Sequence, residues 1–241
     1  MTAGAAQAAV AALVPGAAGL GLGAPASVAA FPAVRFADPA WTAELLALRS
    51  RRHGSPGEGS RDARVLATVW WYSASSVLLT PPLAGLVTGI PLSGRLADLT
   101  VSVLPSLVPI AAEARGPGSG DLVADLRDSL GAVVAAVAEA GRMRERPLWA
   151  IATDSVADRL LALGRAMGDV GRATALAAPL AGAVGPSMPV PRYEDVGSTR
   201  FVRRASCCLL YRVPGGTTCT SCPRRPPEER QSLLERVAGR R

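Results

Sequence analysis

Residues 121–142 read DLVADLRDSLGAVVAAVAEAGR. Leu122, Leu126, Leu130, Val133, Val134 and Val137 recur at steps of three and four, so a helix here has one continuous apolar stripe. Asp121 supplies a side-chain oxygen for the free backbone N–H groups of the first turn, which marks the start. Two further segments follow the same pattern. Pro147 opens a helix from Leu148 to about Met167, with Trp149, Ala152, Val156, Leu160 and Leu163 on one side. The next runs from about Val170 to Val184, with a kink expected at Pro179. Three such helices in succession predict a helical bundle.

Upstream, Arg115–Gly120 is a Gly/Pro/Ser loop. Leu86–Leu92 and Leu99–Leu104 are expected to pair as a small β hairpin or edge sheet across Ser93-Gly94-Arg95. Arg61–Leu79 has helical spacing through Val65, Val69 and Tyr72. Residues 51–60, RRHGSPGEGS, read as a polar loop, and Asp38-Pro39-Ala40-Trp41 opens a helix to about Arg49. The first 34 residues are Ala-rich and uncharged, and predict one short helix and a loose segment. Lacking a positive n-region, they do not read as a secretion signal. Val65–Gly94 is also uncharged and, at 30 residues, long enough to span a bilayer. Pro81-Pro82, Gly85, Gly89 and Pro91 interrupt it, so it reads as a buried helix, a turn and a short strand. Downstream, Gly185–Pro191 is a linker. The fold class expected is mainly α: a bundle, a small β hairpin and an irregular C-terminal segment carrying every cysteine.

That segment is CCLLYRVPGGTTCTSC, residues 207–222, and it contains Cys207, Cys208, Cys219 and Cys222. Thiolates gathered so tightly suit zinc, Cu(I) or an iron–sulfur centre. Pro214-Gly215-Gly216 turns the chain back, bringing the adjacent pair towards the C-x-x-C pair. A four-cysteine zinc site normally uses two C-x2-C knuckles, and here the first is replaced by neighbours whose side chains diverge in extended backbone. A bend is needed for both to bind, which is easier around a two-iron core. A disulfide framework is not needed in a 24.6 kDa chain with 49% hydrophobic residues. A thioredoxin-like motif lacks its βαβ context, and Pro223-Arg-Arg-Pro-Pro blocks a helix directly after Cys222. The residues alone leave a [2Fe–2S] cluster, a structural zinc site and thiol redox chemistry open.

All 26 basic residues are arginine. The net charge of +7 lies wholly in residues 200–241, which hold 10 Arg and 3 Glu, while residues 1–199 balance 16 Arg against 16 acids. Arg203, Arg204, Arg212, Arg224 and Arg225 would offset the negative charge of a thiolate cluster. No nucleic-acid-binding module or aromatic stacking platform accompanies them, so a nucleic-acid partner is not expected.

Residues 203–223, RRASCCLLYRVPGGTTCTSCP, resemble the C-terminal motif of FhuF-like ferric siderophore reductases. The likeness includes the Arg-x-Ser-Cys-Cys lead-in, Leu-Tyr-Arg, the Pro-Gly-Gly turn, C-C-x10-C-x2-C and the final Pro. Weaker similarity reaches Trp70-Trp71 and Leu148-Trp149. Many members carry Gly after the third cysteine, where this chain has Thr220. The resemblance implies a [2Fe–2S] cluster held by Cys207, Cys208, Cys219 and Cys222; the local charge excess casts Arg203, Arg204 and Arg212 as compensating the cluster's charge or docking an anionic substrate or an acidic donor. The resemblance also implies one-electron reduction of a ferric siderophore, iron release as Fe(II), and an external electron donor protein. On this reading residues 1–190 form a mainly helical substrate-binding domain and 191–241 the cluster-binding segment. The protein is expected in the cytoplasm, with peripheral contact at the inner face of the membrane. A zinc-stabilised or iron–sulfur binding or sensor protein without reductase activity is the alternative.

Other candidates read as structural. Gly19–Ala24 fits G-x-G-x-x-[GA], but Pro15, Pro25 and Pro32 leave no room for the flanking strand and helix, so a Gly/Ala turn is expected. His53 reads as a surface residue. Asp154 and Asp158 read as a solvated acidic pair facing Arg159 or Arg165, and Trp70, Trp71 and Tyr72 as core.

Overall fold

The computed structural model describes residues 3–23, 28–53, 62–116, 118, 120–213 and 215–240. At its centre lies α3 (Ala63–Thr88), buried along most of its length, including Trp70, Trp71, Leu79 and Leu83. α5 (Arg146–Ala166) packs along it. Their contact is apolar but carries three polar pins: the Trp71 indole donates to the Leu148 carbonyl at 2.9 Å, the Ser75 and Ser155 hydroxyls meet at 2.7 Å, and the Ser76 hydroxyl donates to Ser155 at 3.3 Å.

α1 (Ala3–Leu13), α2 (Pro39–His53) and α4 (Leu122–Ala140) complete the main layer. The α4 stripe is buried at Leu126, Leu130, Val133, Val134 and Val137, and the Asp121 carboxylate accepts from the Ala124 N–H at 2.9 Å. Each such side chain contributes about 1.5–3 kcal/mol on burial, which decides the face α4 turns inward.

α3 continues through Pro81 and Pro82, although each removes a ladder donor. Burial on all sides outweighs that loss, and the helix ends only at Gly89, in the left-handed conformation at φ 77°. This corrects the expected pairing of Leu86–Leu92 with Leu99–Leu104. Residues 86–88 are the last helical turn, and the chain then folds back so closely that a Cβ on Gly85 would lie 2.7 Å from the Ile90 oxygen. The strand β2 (Leu99–Val103) instead sits between β1 (Ala29–Pro32) and β3 (Pro109–Ala114), antiparallel to both, and this sheet packs on α3. Among the described residues no helix is long and apolar enough to cross a membrane.

The third expected helix is two: α6 (Val170–Ala175) and α7 (Ala177–Val184). The break at Leu176 lies three residues before Pro179, whose missing N–H leaves the Ala175 carbonyl without its ladder donor. Two C-terminal elements have no counterpart among the elements expected from the sequence. β4 (Tyr193–Val196) and β5 (Thr199–Val202) form a hairpin with Gly197 at φ 58° in its turn, and α8 (Pro227–Ala238) follows the cysteines. The hairpin sits on α5, where Val202 packs with Ala157 and Leu161, and the Tyr193 hydroxyl donates to the Ala157 carbonyl at 3.1 Å. The architecture is mainly α, with small antiparallel sheets and the cysteines in an irregular C-terminal stretch.

Candidate metal centre

The strand β5 delivers the chain to the cysteines, and one carboxylate fixes its arrival. Asp154 of α5 is buried and accepts the Ala205 N–H at 2.8 Å, the Ser206 N–H at 3.0 Å and the Ser206 hydroxyl at 2.5 Å. The Arg204 Nε reaches the same carboxylate at 3.4 Å. Burial pushes the Asp154 carboxyl up from its ordinary value, while these donors pull it back. Because every partner is a donor, the site is built to hold the ionised form.

Beyond Ser206 the backbone makes the bend that adjacent cysteines require. Leu209 takes φ 57°, left-handed and costly for a branched side chain, and a 3-10 turn, Leu210–Arg212, follows. Gly215 is also left-handed, at φ 72°. Gly216 passes so close to the Leu210 carbonyl that no Cβ fits. Pro214 lies outside the described residues. At the far end, Arg225 donates to the carbonyls of Cys219 at 3.0 Å and Thr218 at 2.8 Å, and pairs with Glu229 of α8.

These constraints bring the sulfurs together in two pairs. Cys208 interacts most strongly with Cys219, and Cys207 with Cys222. Each pair takes one member from the Cys-Cys dipeptide and one from C-x-x-C. The interaction with Cys219, with help from the Leu210 N–H and Arg204 and against burial, draws the Cys208 thiol down to about 5. The same interaction and burial push Cys219 up, and burial raises Cys207.

The donor set suits a two-iron core. Such a core takes two thiolates per iron. In this structure the sulfurs meet only pairwise: among the described residues no group of three or more Cys, His, Asp or Glu side chains could hold a metal ion. Arg204 adds a second sign. Its side chain is 6% exposed, its Nη1 donates to Cys219 Sγ at 3.5 Å, and its guanidinium lies 4.8 Å from the centre of the Tyr72 ring. Its Nη2 is buried with no acceptor from the protein, leaving a donor beside the sulfurs. Burial works against its charge, but Tyr72, Asp154, Cys208 and Cys219 outweigh burial and raise its pKa.

The three candidate arginines are not brought together. Arg204 is inside, against the sulfurs. Arg203 is exposed, and Arg212 is exposed with Asp62 at 3.9 Å. The acidic pair also divides: Asp158 is on the surface with Arg159 at 2.6 Å, as expected, whereas Asp154 is not solvated. Trp70 and Trp71 are core, but Tyr72 is partly exposed and stacks on Arg204. The stretch Ile151–Ala157 carries the missed signal, since it is buried throughout and leaves Asp154 no solvent-facing side. Gly19–Gly21 lies in a short turn following a helix, Ala24 is outside the described residues, and among the described residues no strand precedes this turn. His53 ends α2 and its side chain lies outside the described residues.

Residues 204–224 match the family model described as the FhuF 2Fe-2S C-terminal domain. Comparison with curated proteins finds none that matches the chain. The C-terminal segment is FhuF-like, and its cofactor is a [2Fe–2S] cluster.

Proposed function

We propose that this protein, with its C-terminal [2Fe–2S] domain of the FhuF type, is a ferric siderophore reductase. When bound, the cluster supplies one electron at a time and is refilled by an external one-electron donor protein. Cys207, Cys208, Cys219 and Cys222 are the ligands in this reading, one sulfur pair to each iron. Arg204 offsets the thiolate charge, and Asp154 and Ser206 hold the lead-in so that both neighbouring cysteines face the same centre. Fe(III) is a hard ion bound tightly by hydroxamate or catecholate oxygens, and Fe(II) is held far more weakly, so one electron frees the metal. We also propose the division of labour at about residue 190, with the helical body as scaffold for the chelate and residues 191–241 carrying the cluster. A cytoplasmic site of action, with contact at the inner face of the membrane, belongs to the same proposal.

The observation carrying this reading is the pairing of four thiols beside a buried, partly unsatisfied guanidinium in the segment that matches the family model. The test is anaerobic mixing of dithionite-reduced protein with ferric hydroxamates and ferric catecholates while trapping Fe(II). Cluster oxidation in step with Fe(II) appearance is expected. Oxidation without iron release would remove the reductase assignment and leave an iron–sulfur binding or sensor protein.

A further inference from the structure

A cavity of about 330 Å³ opens beside the sulfurs, and Cys207 and Leu209 form part of its wall. Arg64, Arg146 and Arg224 line it, and among the described residues no carboxylate does. It lies next to a groove of about 1180 Å³ that shares Arg64, Met143, Arg146 and Pro147 with it and adds Arg142 and Arg144 against Glu139 and Glu145. Together the two recesses hold five arginines and two glutamates. Among the described residues none of these five arginines makes an ion pair. Arg64 and Arg146 also stand in the first turns of α3 and α5, where Asp62 and Glu145 at the N-caps offset the positive helix ends, so the surplus charge is that of the arginines themselves. Arg204 is not among the lining residues, which separates this charge from the charge held against the sulfurs.

We propose that this recess is the chelate-binding site and that it selects anionic ferric chelates over neutral or cationic ones. The inference rests on the reductase reading and names its substrate class. A surplus of unpaired cations in a concavity the size of a small-molecule site, roughly 300–1,000 Å³, attracts an anion electrostatically. Met143, Pro147 and Leu209 give the organic ligand an apolar footing. A ferric chelate gains one negative charge on reduction, so the same arginines favour the reduced product as well as the encounter. Concavity favours a small chelate over an acidic donor protein, which would need a broad face, and the wall at Cys207 places the occupant against a proposed cluster ligand.

Binding is measured by tryptophan fluorescence with redox-inert gallium(III) chelates on the anaerobic holoprotein. A trianionic hexadentate tris-catecholate should bind about tenfold or more tightly than a neutral tris-hydroxamate, and added salt should reduce the difference. Arg146→Glu and Arg224→Glu should each weaken the anionic chelate about tenfold, leave the neutral one unchanged and keep the cluster's visible spectrum. Equal affinities for the two chelates, or unchanged binding in both variants, would overturn the inference. So would variants that bind gallium chelates normally but no longer accept electrons from an acidic one-electron donor protein, since the recess would then be the donor's dock. Fe(II) release without charge preference would refute this inference and leave the reductase reading standing. Charge-selective binding without Fe(II) release from any chelate would do the reverse.

Discussion

The helical body and the cysteine segment are held together by different physics. In α3, α4 and α5 stability comes from many apolar side chains, each replaceable in part by its neighbours. Residues 203–225 contribute almost nothing to that core. Their path depends on Asp154, Arg204, Gly216 and Arg225, each making bonds or contacts that no other residue duplicates. The body should therefore tolerate change gradually, whereas the segment should fail at single positions and take the cofactor with it.

The sharpest way to break this contrast is Asp154→Ala. It leaves the Arg204 charge buried without its carboxylate and strips the Ala205 and Ser206 N–H groups of their acceptor. A cost of about 3–5 kcal/mol is expected, concentrated in the C-terminal segment. Hydrogen exchange should show lost protection at residues 203–225, and iron content should fall. Unchanged exchange and iron loading would show that the segment is not pinned there.

Leu130→Ala tests the other region. A cavity in the α4 contact should cost about 2–5 kcal/mol and lower Tm, while the folded fraction keeps its full cluster spectrum. Loss of cluster without loss of Tm would erase the distinction between the regions.

Arg204→Gln removes the buried cation that donates to the Cys219 sulfur, so the reduction potential should fall. Arg204→Lys should lower it less, since the charge remains. A potential unmoved by either substitution would mean that the guanidinium does not sense the cluster.

The smallest effect belongs to a surface pair. Hydrogen bonding from Arg200 holds the Asp195 carboxyl below its usual value, with Nε and Oδ1 2.8 Å apart. Its contribution is therefore present above the ordinary carboxylate pKa and is lost as pH falls through the depressed one. The pair is exposed, so Asp195→Asn should cost no more than about 0.5 kcal/mol at neutral pH and nothing in strong acid. A larger loss would make the hairpin a structural element in its own right.

The same contrast explains what could be read from the sequence. Stripes such as Leu126-Leu130-Val133-Val137 are periodic, so α4 and α5 are legible to within a few residues. The clustering of the four cysteines in one segment is legible from spacing and resemblance. The extension of α3 through Pro81-Pro82 is not, because local propensity opposes it and only burial on all sides overrides that preference. Nor is the partner of β2, which lies some 70 residues upstream in β1 as well as next door in β3. Asp154 looks like half of a surface pair, and its role exists only once β5 lays Ala205 and Ser206 across α5. Arg204 can be named as a charge near sulfur, but its stacking on Tyr72 joins positions far apart in the chain.

The proposed redox chemistry requires four thiols to hold a two-iron centre. Iron, zinc and acid-labile sulfide measured together on anaerobically purified protein put that to the test. About two irons and two sulfides per chain, with no stoichiometric zinc, are expected. One zinc per chain with no sulfide, persisting after attempted reconstitution, would contradict it.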